Sequence, residues 1–211
     1  MSEEISFSDP RLSDEAFDAQ FPDWVSTHSK IHWTPLSVVR KVVSVFCDRP
    51  GVRILDVGSG SGKFCLAGAA LAEEAHFTGV EQRGALVEMA SALAQKAELS
   101  NVNFVSGDAF DLEWSEFDAL YFYNPFAEHI FFNAFERIDC DSEVGHCEIP
   151  WSAEQHRHFT NQTYQRLKFL EMGTRVATYH GFGKEMPPGY TQIYSSGQKK
   201  AQLRIWEKTG W

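Results

Sequence analysis

The spacing of apolar positions changes character several times along the chain. Leu36, Val39, Val43 and Phe46 recur three and four residues apart, which predicts one buried helix face. Thr34 and Pro35 suit its N-cap and first position, and Arg49-Pro50-Gly51 ends it. From Val52 onward short apolar runs alternate with longer helical patterns. VRILDV, HFTGVE, NVNFVSGD and FDALYFYN read as strands, the last so continuously apolar that it belongs in the middle of a sheet. Between the first two lies KFCLAGAALA, apolar on nearly every side, as in a helix pressed tightly on a sheet. ALVEMASALAQKAEL follows the second strand and predicts a face of Leu86, Met89, Ala90, Leu93 and Ala97.

Farther on the pattern is less regular. EHIFFNAFERI reads as a helix and the acidic stretch from Asp139 to Glu148 as a loop. Ser152 to Gln155 has capping-box spacing and opens a helix to about Met172. TRVATYH is a fifth strand, and YTQIYSS with AQLRIWEK forms a closing antiparallel hairpin. Strands alternating with helices predict an α/β fold, a doubly wound, mostly parallel seven-stranded sheet ending in that hairpin. Residues 1–33, with Phe17, Phe21, Trp24 and Val25 among many acids, read as a helical arm laid over a main domain of residues 34–211.

Candidate chemistry gathers where three successive strands end. ILDVGSGSGKF runs strand, Asp56, then Gly58, Gly60 and Gly62, then helix. Glycines at such a turn let a ligand approach the backbone, and the helix N-terminus beyond favours a negative group. Glu81 ends the second strand, where an acid can accept from both hydroxyls of a ribose; Asp108 ends the third, within reach of an adenine amino group. A dinucleotide fingerprint would need Gly or Ala where Lys63 stands, and a phosphate-binding P-loop would need Ser or Thr at Phe64. An adenosine carrying a charged tail fits better than either.

Residues 54–126 resemble the core of the class I, seven-stranded methyltransferases that depend on S-adenosylmethionine (SAM). The shared features are the D-x-G-x-G-x-G loop, the acids ending strands two and three, and a short motif ending strand four. The resemblance implies SAM as cofactor: Gly58, Gly60 and Gly62 against its methionine part, Glu81 on the ribose, and Asp108 with Ala109 and Phe110 near the adenine. HGFGKEMPPG departs from the family, leaving little room for a helix between strands five and six. Tyr123 to Phe126 (YNPF) looks like a shortened Asn-Pro-Pro-Tyr/Phe motif of methyltransferases acting on adenine or glutamine amino groups. That implies acceptor-handling roles for Asn124 and Phe126. WTPLSVVRKVV, GVEQR and SGDAFDLEW are in turn similar to segments of the non-SET histone lysine methyltransferases, which would put Thr34 near the methionine end of SAM.

Charge bears on the acceptor. The formal net charge is −10 and the longest basic groupings are Lys199-Lys200 and Arg40-Lys41, which disfavours a nucleic-acid partner. The expected reaction is therefore methyl transfer to a nitrogen on a protein side chain. A small-molecule methyltransferase and a non-catalytic SAM- or nucleoside-binding protein are the alternatives. Cys140, His146 and Cys147 share a loop but lack a Cys-x-x-Cys pair and a fourth ligand, so no metal is expected. No apolar run reaches the ~18 residues of a membrane span. The acidic start is unlike a signal peptide and the cysteines are scattered, so the expected location is the cytoplasm.

Overall fold

The computed structural model describes residues 7–9, 11–26, 33–123, 153–197 and 202–211. Seven strands form one sheet: β1 (Arg53–Val57), β2 (His76–Glu81), β3 (Val102–Ser106), β4 (Ala119–Tyr123), β5 (Arg175–Tyr179), β6 (Tyr190–Ser196) and β7 (Leu203–Lys208). Their order is β3-β2-β1-β4-β5-β7-β6. The first five are parallel, and β7 runs antiparallel to both β5 and β6. The expected hairpin is present. Its second strand lies inside the first, an inversion that spacing along the chain does not encode.

Side chains alternate across each strand, so neighbours in sequence serve opposite faces. Ile54 and Tyr121 join a core with Val39, Phe46 and Phe64, whereas Leu55 and Phe122 join a second with Trp114, Leu167 and Val176. The first core lies under α1 (Asp14–Asp18), α3 (Leu36–Phe46) and α4 (Lys63–Leu71). α2 (Asp23–Ser26) completes the N-terminal elements, α5 (Gly84–Lys96) connects β2 to β3, and α6 (Ala153–Lys168) precedes β5. On α5 the fully buried stripe is Val87, Ala90 and Ala94, rotated from the expected face; Leu86, Met89 and Leu93 are only half-buried. Small residues let this helix lie close to the sheet, and its larger ones border the contact.

Arm and main body share one core. Phe17, Phe21 and Trp33 are buried in it, with ring centroids 5.8 Å and 4.5 Å apart in succession. Lys63, the first residue of α4, is also buried; its Nζ lies 2.6 Å from both Asp14 Oδ1 and Asp18 Oδ1 and above the rings of Phe17 and Trp33. Asp14 Oδ1 accepts a second bond, 2.9 Å, from Leu36 N at the start of α3. This corrects the expected cap. Thr34 does not cap α3; the N-cap position is Pro35, which makes no side-chain bond, and Asp14 supplies the acceptor from another helix.

The helix expected over EHIFFNAFERI, the acidic loop after it and the Cys140, His146 and Cys147 group lie outside the described residues. No helix stands between β5 and β6, as the short connection implies. Among the described residues no helix is long and apolar enough to cross a membrane.

Candidate cofactor and acceptor site

Asp56 and Val57 finish β1 in the sheet interior, and the chain then turns over the end of β2. Gly58 N and Ser59 N both donate to Val80 O, at 3.0 Å and 2.9 Å. Gly60 and Gly62 have φ of 54° and 79°, the left-handed region that disfavours side chains. They serve different ends. A Cβ on Gly60 would meet nothing within 4 Å, whereas one on Gly62 would sit 2.7 Å from the Phe104 ring and 2.9 Å from Ala90. Gly60 keeps backbone open to a ligand, and Gly62 lets α4 settle on β3 and α5. In the same loop Ser59 Oγ is buried with no hydrogen-bond partner among the described residues.

Glu81 lies beneath this loop and is 6% exposed. Its Oε2 accepts from Gly60 N (3.0 Å) and Arg83 Nη2 (3.1 Å), its Oε1 from Arg83 N (3.0 Å) and Arg83 Nε (2.8 Å). Burial pushes the carboxyl up, but the Arg83 guanidinium and these hydrogen bonds outweigh it and hold the group below the usual carboxylate range. Glu81 is therefore a fixed anion tied to the glycine loop. Arg83 covers the acceptor capacity that a ribose would take. The sequence reading missed this arginine, although an acid and a base two residues apart at a strand end is a legible signal.

Asp108, at the end of β3, accepts from Phe110 N (2.9 Å) and starts the 3₁₀ turn Ala109–Asp111. Ala109 is buried, and its carbonyl accepts from Trp114 Nε1 at 2.8 Å. Asp56 is different again. It is fully enclosed, with Cys65 Sγ 3.6 Å from its carboxyl oxygen, and burial, with the charge of Glu81, pushes its pKa up to about 8. At neutral pH it is mostly a neutral acid under the glycine loop.

Thr34 is buried and its Oγ1 lies 2.8 Å from Tyr121 Oη. Tyr121, one place along β4 from Phe122, stacks on Phe64 with centroids 3.9 Å apart and 7° between planes. The Thr34 hydroxyl is thus engaged in tying β4 to the start of α3, while the Phe64 stack holds β4 against α4. Asn124 and Phe126 lie outside the described residues. The last described residue before them, Tyr123, has its ring 5.4 Å from Tyr179 and 5.3 Å from His180. His180 holds φ at 66°, a conformation uncommon outside glycine.

Open backbone at Gly60, a clamped anion at Glu81 and an acid at Asp108 stand at the ends of three adjacent parallel strands, where such sheets bind ligands. This set of donors and acceptors fits an adenosine with a charged tail, so the residues present suit SAM.

Comparison with known proteins agrees. A family model described as a methyltransferase domain matches residues 48–149. A tRNA (guanine-N(7)-)-methyltransferase of Synechococcus elongatus is 37% identical over 92 residues, 39% of this chain and 42% of that protein. The chain thus spans well under half the length of the curated relative it matches. Among solved structures, an RNA methyltransferase from Salinibacter ruber in complex with S-adenosyl-L-homocysteine superposes with a TM-score of 0.55 at 18% identity, over 83% of this chain and 93% of that one. TrmN from Thermus thermophilus gives 0.58 at 20% identity, over 83% of this chain and 49% of its own. Those identities speak for the fold alone. The chain has the fold of these methyltransferases, and its residues 48–149 match a methyltransferase domain.

Proposed function

We propose that the chain transfers the methyl group of SAM to a nitrogen of an RNA base. The cofactor half of this reading is supported by the Gly60–Glu81 bond, which places an anion directly beneath an open glycine backbone. In it Gly58 and Gly60 lie along the methionine part, Glu81 takes the ribose as Arg83 gives way, and Asp108 with Ala109 takes the adenine. Asp56 and Thr34 act one layer below, supporting the loop and β4. Gly62 serves the packing that keeps the loop in place.

For the acceptor, support comes from the relative named a tRNA methyltransferase. The acidic net charge favours a protein side chain, but nothing among the relatives speaks for that acceptor. Charge is also uneven. Arg157, His158 and Lys184 are exposed at the start of α6 and in the loop after β5, among Glu154 and Glu185, so this rim lacks the acidic excess of the whole chain.

Transfer from a sulfonium is an in-line displacement, and the protein's part is to align the reactants and exclude water, a contribution of about 7–11 kcal/mol at most. SAM supplies the methyl group. Asn124, directly after β4, is assigned to orient the acceptor and Phe126 to pack against it.

The test is a labelled-SAM transfer assay on cell lysate, split into RNA, protein and small-molecule fractions. Label should enter RNA, and Asn124→Ala should lower the rate about 100-fold while SAM affinity stays within a few-fold. Label chiefly in protein restores the side-chain acceptor; label only in metabolites selects a small-molecule enzyme. Binding without transfer to any fraction would mean a SAM-binding protein.

A further inference from the structure

The adenine side of the site is held from a distance. Arg166, near the end of α6, donates from Nη1 to Leu112 O and from Nη2 to Phe110 O, 54 and 56 residues away in sequence. Its guanidinium carbon lies 5.5 Å from the Phe110 ring centroid and 5.3 Å from that of Trp114. Trp114 takes the carbonyl of Ala109, and Phe159, also on α6, lies parallel to Phe110 at 5.8 Å. The carbonyls of Ala109, Phe110 and Leu112 are thereby all bonded to the side chains of Trp114 and Arg166. Phe110 N, Asp111 N and Leu112 N are used within the segment itself. Among the groups of this segment left out of these bonds, Asp108 Oδ2 and Ala109 N–H are neighbours: one acceptor and one donor, side by side.

That pair matches the adenine edge, whose amino group donates and whose N1 accepts. Hypoxanthine presents the reverse, a carbonyl and an N1–H. We propose that Arg166 is a positioning residue that sets the base selectivity of the cofactor site, by holding the carbonyls of Phe110 and Leu112 so that the adenine-type pair of Asp108 and Ala109 faces the ligand. The inference rests on the reading of Asp108 and Ala109 as the adenine site. It also makes α6 part of cofactor recognition, although α6 follows the acceptor-side segment in sequence. Freed of Arg166, two half-buried carbonyls lose their donors and the segment can turn one toward the ligand, where it would accept from hypoxanthine.

The experiment compares S-adenosylhomocysteine with S-inosylhomocysteine by calorimetry. The wild-type chain should prefer the adenosine compound by roughly 100-fold, the loss expected from two mispaired hydrogen bonds. Arg166→Met should reduce the preference to under about tenfold, through tighter binding of the inosine compound as well as weaker binding of the other. Arg166→Lys keeps the cation over the rings with fewer directed donors and should show a smaller fall in the same ratio. Thermal melting of each variant separates this from general destabilisation, which lowers the melting temperature without changing the ratio. An unchanged ratio in both folded variants overturns the proposal. A wild-type chain that binds neither compound fails at the cofactor reading instead.

Discussion

The two sides of the sheet keep their polar groups satisfied by different means. Around the glycine loop the bonds are short-range or run from backbone, although Asn101 beside β3 reaches the carbonyls of Ala69, Ala72 and Ala75. Gly58 and Ser59 donate to Val80 O across one strand, and Glu81 is held by Arg83 two residues on and by Gly60. On the β4–β7 side long side chains reach across the fold to carbonyls. Arg166 reaches Phe110 and Leu112, Arg175 reaches Val45 O at 2.6 Å, Lys208 reaches Lys168 O at 3.0 Å, and Tyr190 reaches Leu167 O at 2.9 Å. The glycine loop and Glu81 are held locally, so a short stretch of sequence suffices to recognise them. The other side depends on single long residues whose partners lie far along the chain. Changing one such residue reshapes a surface while β1–β3 stays as it is.

Lys63 is the charged exception beside the glycine loop, and removing it tests the contrast severely. Lys63→Met leaves Asp18 nearly buried without its cation. A broken buried pair costs about 3–5 kcal/mol, and because Asp14 keeps 41% of its side chain in solvent the lower end applies. The melting temperature should fall by about 6–10 °C. A fall under two degrees would mean that the arm is held by Phe17, Phe21 and Trp33 alone.

Glu81→Ala comes next. Losing a charged acceptor should weaken SAM binding about tenfold or more, since hydrogen bonds to charged groups contribute roughly 1.5–3 kcal/mol. Because the interactions of Glu81 are local, hydrogen exchange in α6 should not change. Faster exchange there would show that the two sides are not independent, and an unaltered dissociation constant would take Glu81 out of the ligand site.

A test read against pH concerns Asp56. Its folded pKa of about 8 lies above the ordinary 3.8, so the neutral carboxyl is the form that the fold favours. As pH rises from about 4 to about 8 the unfolded chain gives up this proton and the folded chain retains it. Stability therefore falls over that window, by up to about 1.4 kcal/mol per pH unit, and levels off above it. Asn mimics the neutral acid without titrating, so Asp56→Asn should match the wild type near pH 4 and gain on it steadily toward pH 8. Parallel melting curves against pH would place Asp56 in a wetter setting than its burial indicates.

The glycine loop, Glu81 and Asp108 were legible because each stands at a strand end marked by a change of period. β1 to β5 were legible for the same reason, with bounds within a residue or two of those found. What escaped was what period cannot carry. Arg166 and Lys63 look like solvated charges until the elements bearing Phe110 and Asp14 are brought beside them. Thr34 looked like a cap because the residue type suits one; packing turned its hydroxyl to Tyr121 and left Asp14 to do the capping. Gly62 looked like its neighbours in the loop until the Phe104 ring was found in the space its side chain would fill.

The inverted order of β6 and β7 has a consequence for how the protein is made and kept. β6 touches the sheet only through β7, so neither can be added singly in chain order: β6 waits without a strand partner until β7 arrives to lie between it and β5. Until then the edge on offer is β5, whose Val176 and Ala177 are fully buried in the finished fold. That is an apolar strand with unpaired backbone, the kind of surface on which half-folded chains recruit one another. A lesion in β7 would thus shed two strands at once and act first through aggregation, well before any effect on the chemistry at the opposite side of the sheet.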